Sequence, residues 1–495
     1  MNAVSPDLPA CLAALEARLR QDLAWLELPA KSWVPPRTVD GHAVRDVVII
    51  GAGMCGLAAA ASLIHLGIGN IIAYDQASEG LEGPWETFAR MRTLRSPKQL
   101  TGPALGLPSL TFRAWYEARF GLPAWEALGK IPRGQWMEYL VWYRRVLGLP
   151  VRNETRVTAI RPFGADLLEL DIVDESAAEP LRSSVLARRL VLATGRDALG
   201  GPFVPDFVAG IGRRFWAHSA EDLDFAALAG KRVGVVGAGA SAMDNAAVAL
   251  EAGAAGVDLF IRRPDIPRVN KFTGIGSQGV VHGFKGLPDE WKWRFLHHAM
   301  AAQTPPPRES VLRVSRHPNA RFHLASPVLG LTEGADALSL ATPRGIYPLD
   351  FLILATGFRI GLELRPELAP FAPEIRLWRD RFSAPPGLEN EELADSPDLG
   401  PAFEFQEKRP GAAPHLARIH CFNFPASLSH GKLSGDIPAV SEGAERLVQG
   451  IARLLFVEDR ERHFANLVAF DTPELQGDEW EDAGPPTAAA MAARV

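Results

Sequence analysis

The chain has 495 residues, 47% of them apolar and 22% charged, the balance of a folded globular enzyme rather than of a fibrous or disordered chain. Its formal charge of −6 leaves no basic footprint for nucleic acid, and its length suggests roughly three domain-sized units. Three cysteines, Cys11, Cys55 and Cys421, with no C-x-x-C, exclude a disulfide framework and a redox-active cysteine pair, so a reduced, cytoplasmic setting is expected.

No apolar run reaches the length of a membrane span, and the N-terminus lacks the basic start and apolar core of a secretory leader. Instead, Leu12, Leu15, Leu19, Leu23 and Leu26 recur every three or four residues with charged residues between them. That spacing predicts an amphipathic helix packed on the main body or on a neighbouring subunit, so a homo-oligomer is one expectation. Attachment to a membrane surface is the lesser reading, because the polar face carries acids as well as bases. Leu28-Pro29 ends the helix and Pro35-Pro36 marks a linker, making residues 1–45 an N-terminal helical extension.

The most informative stretch follows. Asp46-Val47-Val48-Ile49-Ile50 runs into Gly51-Ala52-Gly53-Met54-Cys55-Gly56, then an Ala-rich helix candidate, then Ile71-Ile72-Ala73-Tyr74 ending on Asp75. Strand, glycine turn, helix, strand and acid in this register form the dinucleotide fingerprint. Gly51 permits the turn, Gly53 lets the backbone approach a pyrophosphate, and Gly56 lets the helix sit close on the strand. Asp75 falls about 20 residues beyond Gly56, where a carboxylate binds ribose hydroxyls. A glycine loop leads to Gly83-Pro84-Trp85, and residues 86–112 are Arg-, Pro- and Gly-rich without sustained periodicity, as expected of a functional segment. Trp136–Leu147 reads as a helix and Thr155–Ile160, with Val157, as a strand.

Leu190-Val191-Leu192 leads into Ala193-Thr194-Gly195, and the phrase returns as Leu352-Ile353-Leu354 before Ala355-Thr356-Gly357. Between them the opening unit repeats: Val233-Gly234-Val235-Val236, the turn Gly237-Ala238-Gly239-Ala240-Ser241-Ala242, and a helix from Met243. Where the first copy ends on Asp75, the second ends on Arg262-Arg263. An acid would repel a 2′-phosphate, whereas an arginine fork binds it, so the first unit suits a nucleotide with a free ribose and the second suits NADPH. The alternative for the arginines is a solvated surface pair. The aromatic and polar residues of 264–321, among them Asn270, Phe272, Phe284, His297 and His298, match no metal-ligand spacing and are expected to be packing and surface residues. Residues 363–411 are expected to form an exposed excursion, and the tail from 471 to fray.

On GAGMCG, GAGASAMDNA, the two ATG phrases and Arg262-Arg263, residues 45–460 resemble the two-dinucleotide, class B flavoprotein monooxygenases: flavin-containing monooxygenases, N-hydroxylases and Baeyer–Villiger enzymes. Ser241 and Asp244 match the NADPH turn of that family, Gly83-Pro84-Trp85 its flavin-covering loop, and Leu94-Arg95-Ser96-Pro97-Lys98 its segment near the isoalloxazine. Arg95 stands where the family places an asparagine. The Baeyer–Villiger fingerprint keeps only His218, which is otherwise a linker histidine bonded to backbone.

The resemblance implies an α/β fold with two Rossmann-like domains, the FAD domain discontinuous: 46–212 and a return segment 351–470 for FAD, and 213–350 for NADPH. It implies that NADPH reduces FAD, and that O2 adds to the flavin C4a and passes one atom to a small organic substrate, with N- or S-oxygenation favoured. Gly51, Gly53, Cys55, Gly56, Asp75, Gly83, Trp85, Arg95, Val157, Ala193, Thr194, Gly195, Thr356, Gly435 and Asp436 are then expected at FAD, and Gly237, Gly239, Ser241, Ala242, Arg262 and Arg263 at NADPH. Gly435-Asp436 would present backbone N–H groups to the flavin or else simply cap a helix. Arg95 and Lys98 are the candidates for stabilising negative charge at the flavin, with plain salt bridges as the alternative. Two other functions stay open: an NADPH:flavin oxidoreductase that inserts no oxygen, and a non-catalytic NADP(H) sensor.

Overall fold

The computed structural model describes residues 8–196 and 198–484, in two compact units, Met1–Ala452 and Arg453–Val495. In the first unit the predicted N-terminal helix spans Leu8–Trp25 and buries Leu19.

The core of the first sheet is the strand His42–Ile50, whose Val47, Val48 and Ile49 are fully buried. It pairs in parallel with Ile71–Tyr74 on one side and with the end of Leu181–Leu192 on the other. A strand buried on both faces reads as a continuous apolar run, as this one does. The helix Met54–His65 covers it with Ala58, Ala59, Ala60 and Ala61, small side chains that let a helix lie close on a sheet. The start of Leu181–Leu192 joins Leu167–Asp174 and Thr155–Phe163 in an antiparallel meander, and Ile419–Cys421 adds in parallel at its far end.

The second sheet is all parallel: Ala320–His323, Gly256–Phe260, Arg232–Val236, Phe351–Leu354 and Trp216–His218, in that order. Phe351–Leu354 thus lies in this sheet, beyond the limit drawn at 350. Its Leu-Ile-Leu run is buried on both faces and cannot be told by sequence from the Leu190-Val191-Leu192 run of the first sheet.

Residues 363–411 depart from expectation. Leu368, Phe371, Ile375, Trp378, Phe403 and Phe405 are buried, so the segment is packed rather than an exposed excursion. Its Pro, Glu and Gly residues hid isolated apolar side chains that follow neither strand nor helix period. The helix expected from Trp136 begins at Arg133 and ends at Val146, burying Trp136, Tyr139 and Tyr143.

In the second unit the helix Arg460–Ala469 exposes Phe464, Leu467 and Val468. Residues 470–484 contain no helix or strand, and the remainder of the expected tail lies outside the described residues. Among the described residues no helix is long and apolar enough to cross a membrane, and no cluster of metal-ligating side chains occurs.

Candidate functional site

Both glycine turns form, and each is braced by an ATG phrase. Gly51 has φ +96°, and a Cβ there would lie 2.5 Å from the Ala193 carbonyl oxygen. Gly237 has φ +138°, and a Cβ there would lie 2.6 Å from the Ala355 carbonyl oxygen. The Ala193 and Ala355 carbonyls therefore occupy corresponding places beside the two turns. The helices beyond, Met54–His65 and Ala240–Glu251, start at N-caps Gly53 and Gly239, and neither N-cap has a side-chain hydrogen bond. First-turn N–H groups left without a side-chain acceptor make an anion cradle.

The Asp75 carboxylate closes the first cradle. It accepts hydrogen bonds from Ala52 N at 2.7 Å and from Ala77 N at 2.8 Å, which fix it beside the turn with lone pairs to spare for ribose hydroxyls. Arg262 and Arg263 border the second. Arg263 donates to the Ala301 carbonyl at 3.0 Å, while the Arg262 guanidinium has no hydrogen-bond partner among the described residues. Ser241 donates to Ser219 Oγ at 3.0 Å.

The two cradles open on one cleft of about 3130 Å³, well beyond the ~300–1,000 Å³ of a site for one drug-sized ligand, and large enough for two dinucleotides and a substrate. Gly51, Gly53, Cys55, Asp75, Gly83, Trp85, Arg95, Val157 and Ala193–Gly195 line it on one side, and Gly237, Gly239, Ser241, Arg262 and Arg263 on the other, with Thr356, Gly435 and Asp436. Thr194 Oγ1 is buried there with no partner, a polar atom that a bound cofactor could satisfy. Burial, with Asp436 adding, pushes the Cys55 thiol up to about 12, which favours the protonated form. These residues fit FAD in the first cradle and a 2′-phosphorylated dinucleotide in the second.

Three expected site residues do not line the cleft. Gly56 lies beneath the first turn, where a Cβ would collide with the Gly51 carbonyl, so its role is packing. Ala242 is fully buried under the second turn. Lys98 turns away: it donates to the Trp125 carbonyl at 2.6 Å and lies 4.8 Å from the centre of the Trp125 ring. Cation–π attraction and a carbonyl acceptor hold it there. Arg95 does reach the cleft, tied to the Pro305 carbonyl at 2.7 Å. His218 is fully buried and bridges backbone, with Nε2 facing the Gly357 carbonyl at 3.0 Å and Nδ1 accepting from Ala220 N at 3.2 Å. Burial lowers its pKa and favours the neutral ring.

Sequence reasoning missed two cation–aromatic pairs on the cleft wall. The Arg196 guanidinium sits 4.4 Å from the Phe424 ring centre, and Lys432 Nζ 4.4 Å from that of Phe272. Asn270, Phe272 and Phe284, expected to be packing or surface residues, line the cleft too. No local motif marks any of them, since their partners lie far off in the chain.

Paired dinucleotide cradles of this kind, sharing one cleft and lacking a cysteine couple, define a two-dinucleotide flavoprotein oxidoreductase. Residues 48–272 match the family model described as pyridine nucleotide-disulphide oxidoreductase. The chain is 40% identical over 470 residues to the FAD-dependent urate hydroxylase of Xanthomonas campestris, covering 95% of this chain and 98% of that one, and it belongs to that enzyme's family. It is thus an FAD-dependent oxidoreductase. Solved structures share the fold. The Pseudomonas aeruginosa ornithine hydroxylase has a TM-score of 0.63 at 16% identity, covering 83% of this chain and 100% of that one. The Kutzneria ornithine N-hydroxylase, which holds reduced FAD, NADP+ and L-ornithine, has a TM-score of 0.62 at 18% identity, covering 83% and 99%.

Proposed function

We propose that the protein is an NADPH-driven FAD monooxygenase that hydroxylates urate or a closely similar planar purine anion. The observation that carries this reading is the 40% identity with a urate hydroxylase along nearly the whole of both chains. In this reading the first sheet and its return strand form the FAD half and the second sheet the NADPH half.

FAD, when bound, supplies the electron relay from NADPH and the activation of O2. The chain's residues bind and orient. Asp75 holds ribose hydroxyls, the N-terminus of Met54–His65 takes the pyrophosphate, and Arg262-Arg263 take the 2′-phosphate. Arg95, held by the Pro305 carbonyl, places positive charge in the cleft where negative charge develops. Arg196 over Phe424 offers a cation beside an aromatic ring, the combination that suits a flat, delocalised anion, while Lys432 over Phe272 is shared with Asp436 at 3.3 Å.

The test follows NADPH consumption and hydrogen peroxide release with urate and with ornithine or lysine as competing candidates. Urate-dependent consumption without matching peroxide supports the reading. Consumption that ends wholly as peroxide with every candidate contradicts it.

A further inference from the structure

Outside the cleft, a second cavity of about 260 Å³ is lined by four cations, Lys285, Lys292, Arg376 and Arg381, and among the lining residues by one acid, Asp398. Asp398 is almost wholly buried and already shared: Arg376 Nε donates to it at 2.7 Å and Arg381 at 2.8 Å. Arg381 also grips Asp289 through two bonds of 2.7 and 3.0 Å. Lys285 donates to the Pro401 carbonyl at 2.9 Å. Glu404 acts on Lys285 as a nearby opposite charge.

Lys292 is the residue left over. It is 8% exposed, on the helix Asp289–Ala302, and its nearest carboxylate is Asp289 at 3.8 Å, beyond hydrogen-bond reach. Its ammonium makes no hydrogen bond among the described residues. The side chain is buried while the ammonium opens on the cavity, 6.0 Å from the Trp378 ring centre, and three further cations line that space against the single Asp398 carboxylate. Such a place is stable when an anion with several acceptor oxygens occupies it. The cavity is roomy for that, since a water takes about 30 Å³.

We propose that this cavity binds a small polyvalent oxyanion, phosphate or a short dicarboxylate, held by Lys292 together with Lys285 and Arg376. The cavity backs onto the cleft wall: Lys285 and Ser429 line it, while their chain neighbours Phe284 and Leu428 line the cleft. Its occupant therefore sits one residue behind the cleft wall.

The test is calorimetric titration of the FAD-loaded enzyme, saturated with NADP+ so that the dinucleotide phosphate cradles are filled. Phosphate and malonate are titrated separately at constant ionic strength, with chloride as the monovalent reference. Saturable one-site binding of either oxyanion is expected, weakened at least ~10-fold in Lys292→Met, the effect of losing one charge-assisted bond. The stronger of the two identifies the occupant. Lys285→Met is the second variant and must show a loss of its own, and flavin absorbance with the thermal midpoint reports that each variant folds. No saturable heat with either oxyanion, or unchanged affinity in both variants, overturns the proposal.

Discussion

The carboxylate of Asp75 accepts the backbone N–H of Ala52, inside the first glycine turn, at 2.7 Å. One residue thus ties the end of the strand Ile71–Tyr74 to the turn and leaves oxygen lone pairs toward the cleft. Replacing it with Ala removes a charged acceptor from both the turn and the ribose. Asp75→Ala is expected to weaken FAD binding by about 10- to 100-fold, as loss of a hydrogen bond to a charged group does. Flavin absorbance per protein after gel filtration, with FAD titration of the apoprotein, checks it.

Gly237 and the arginine pair test the second cradle independently of the first. A Cβ at Gly237 meets a backbone carbonyl that cannot give way, at a φ disfavoured for L-residues. Gly237→Ala should leave the protein yellow while raising the KM for NADPH. The double change of Arg262 and Arg263 to Ala should cut the preference for NADPH over NADH by roughly 10- to 100-fold, with FAD content unchanged. Steady-state kinetics with both nucleotides decides.

Arg95 and Lys98 looked equivalent in sequence, but the structure separates them. Arg95 reaches the cleft, whereas Lys98 is fastened to Trp125. Arg95→Ala should lower kcat about 10-fold or more, and Lys98→Met should leave kcat and the flavin spectrum near wild type. Equal losses in both would argue against this division.

Buried histidines set an acid limit. His430 stacks on Phe403 at 3.6 Å, and its Nε2 lies 2.9 Å from the Gly400 carbonyl. Burial, reinforced by Lys285, holds its pKa down to about 3, and burial does the same for His420. The folded protein keeps both neutral, while the unfolded chain protonates them below about pH 6.5. The unfolded state then binds more protons, so their contribution to stability is lost as pH falls from about 6.5 toward 3. His430→Phe should cost stability at neutral pH through the lost hydrogen bond, and that deficit should shrink as pH falls through this window. Denaturant melts of both proteins across the range check the sign, and carboxylates common to the two cancel in the difference.

What the sequence made legible was local. Each cradle is built within about 30 contiguous residues, so glycines, flanking strands and the closing Asp75 or Arg262-Arg263 could be read directly. The unpatterned segment 86–112 does contribute to the cleft wall, as its lack of period suggested, and residues of 264–321 and 363–411 join it against expectation. What stayed hidden was decided by distant partners. Arg196 meets Phe424, and Lys98 meets Trp125, through folding alone. Trp378 and Phe403 are buried in a segment whose composition reads as surface, because isolated apolar residues without period give no signal.

Oxygen insertion driven by NADPH through two cradles on one cleft leaves its mark on the product. The most direct measurement is mass spectrometry of the product formed from urate, NADPH and ¹⁸O-labelled O2. One labelled oxygen atom in the hydroxylated purine, with NADPH consumed in equal amount, is the predicted result. Unchanged urate with all the label recovered as hydrogen peroxide would contradict the account.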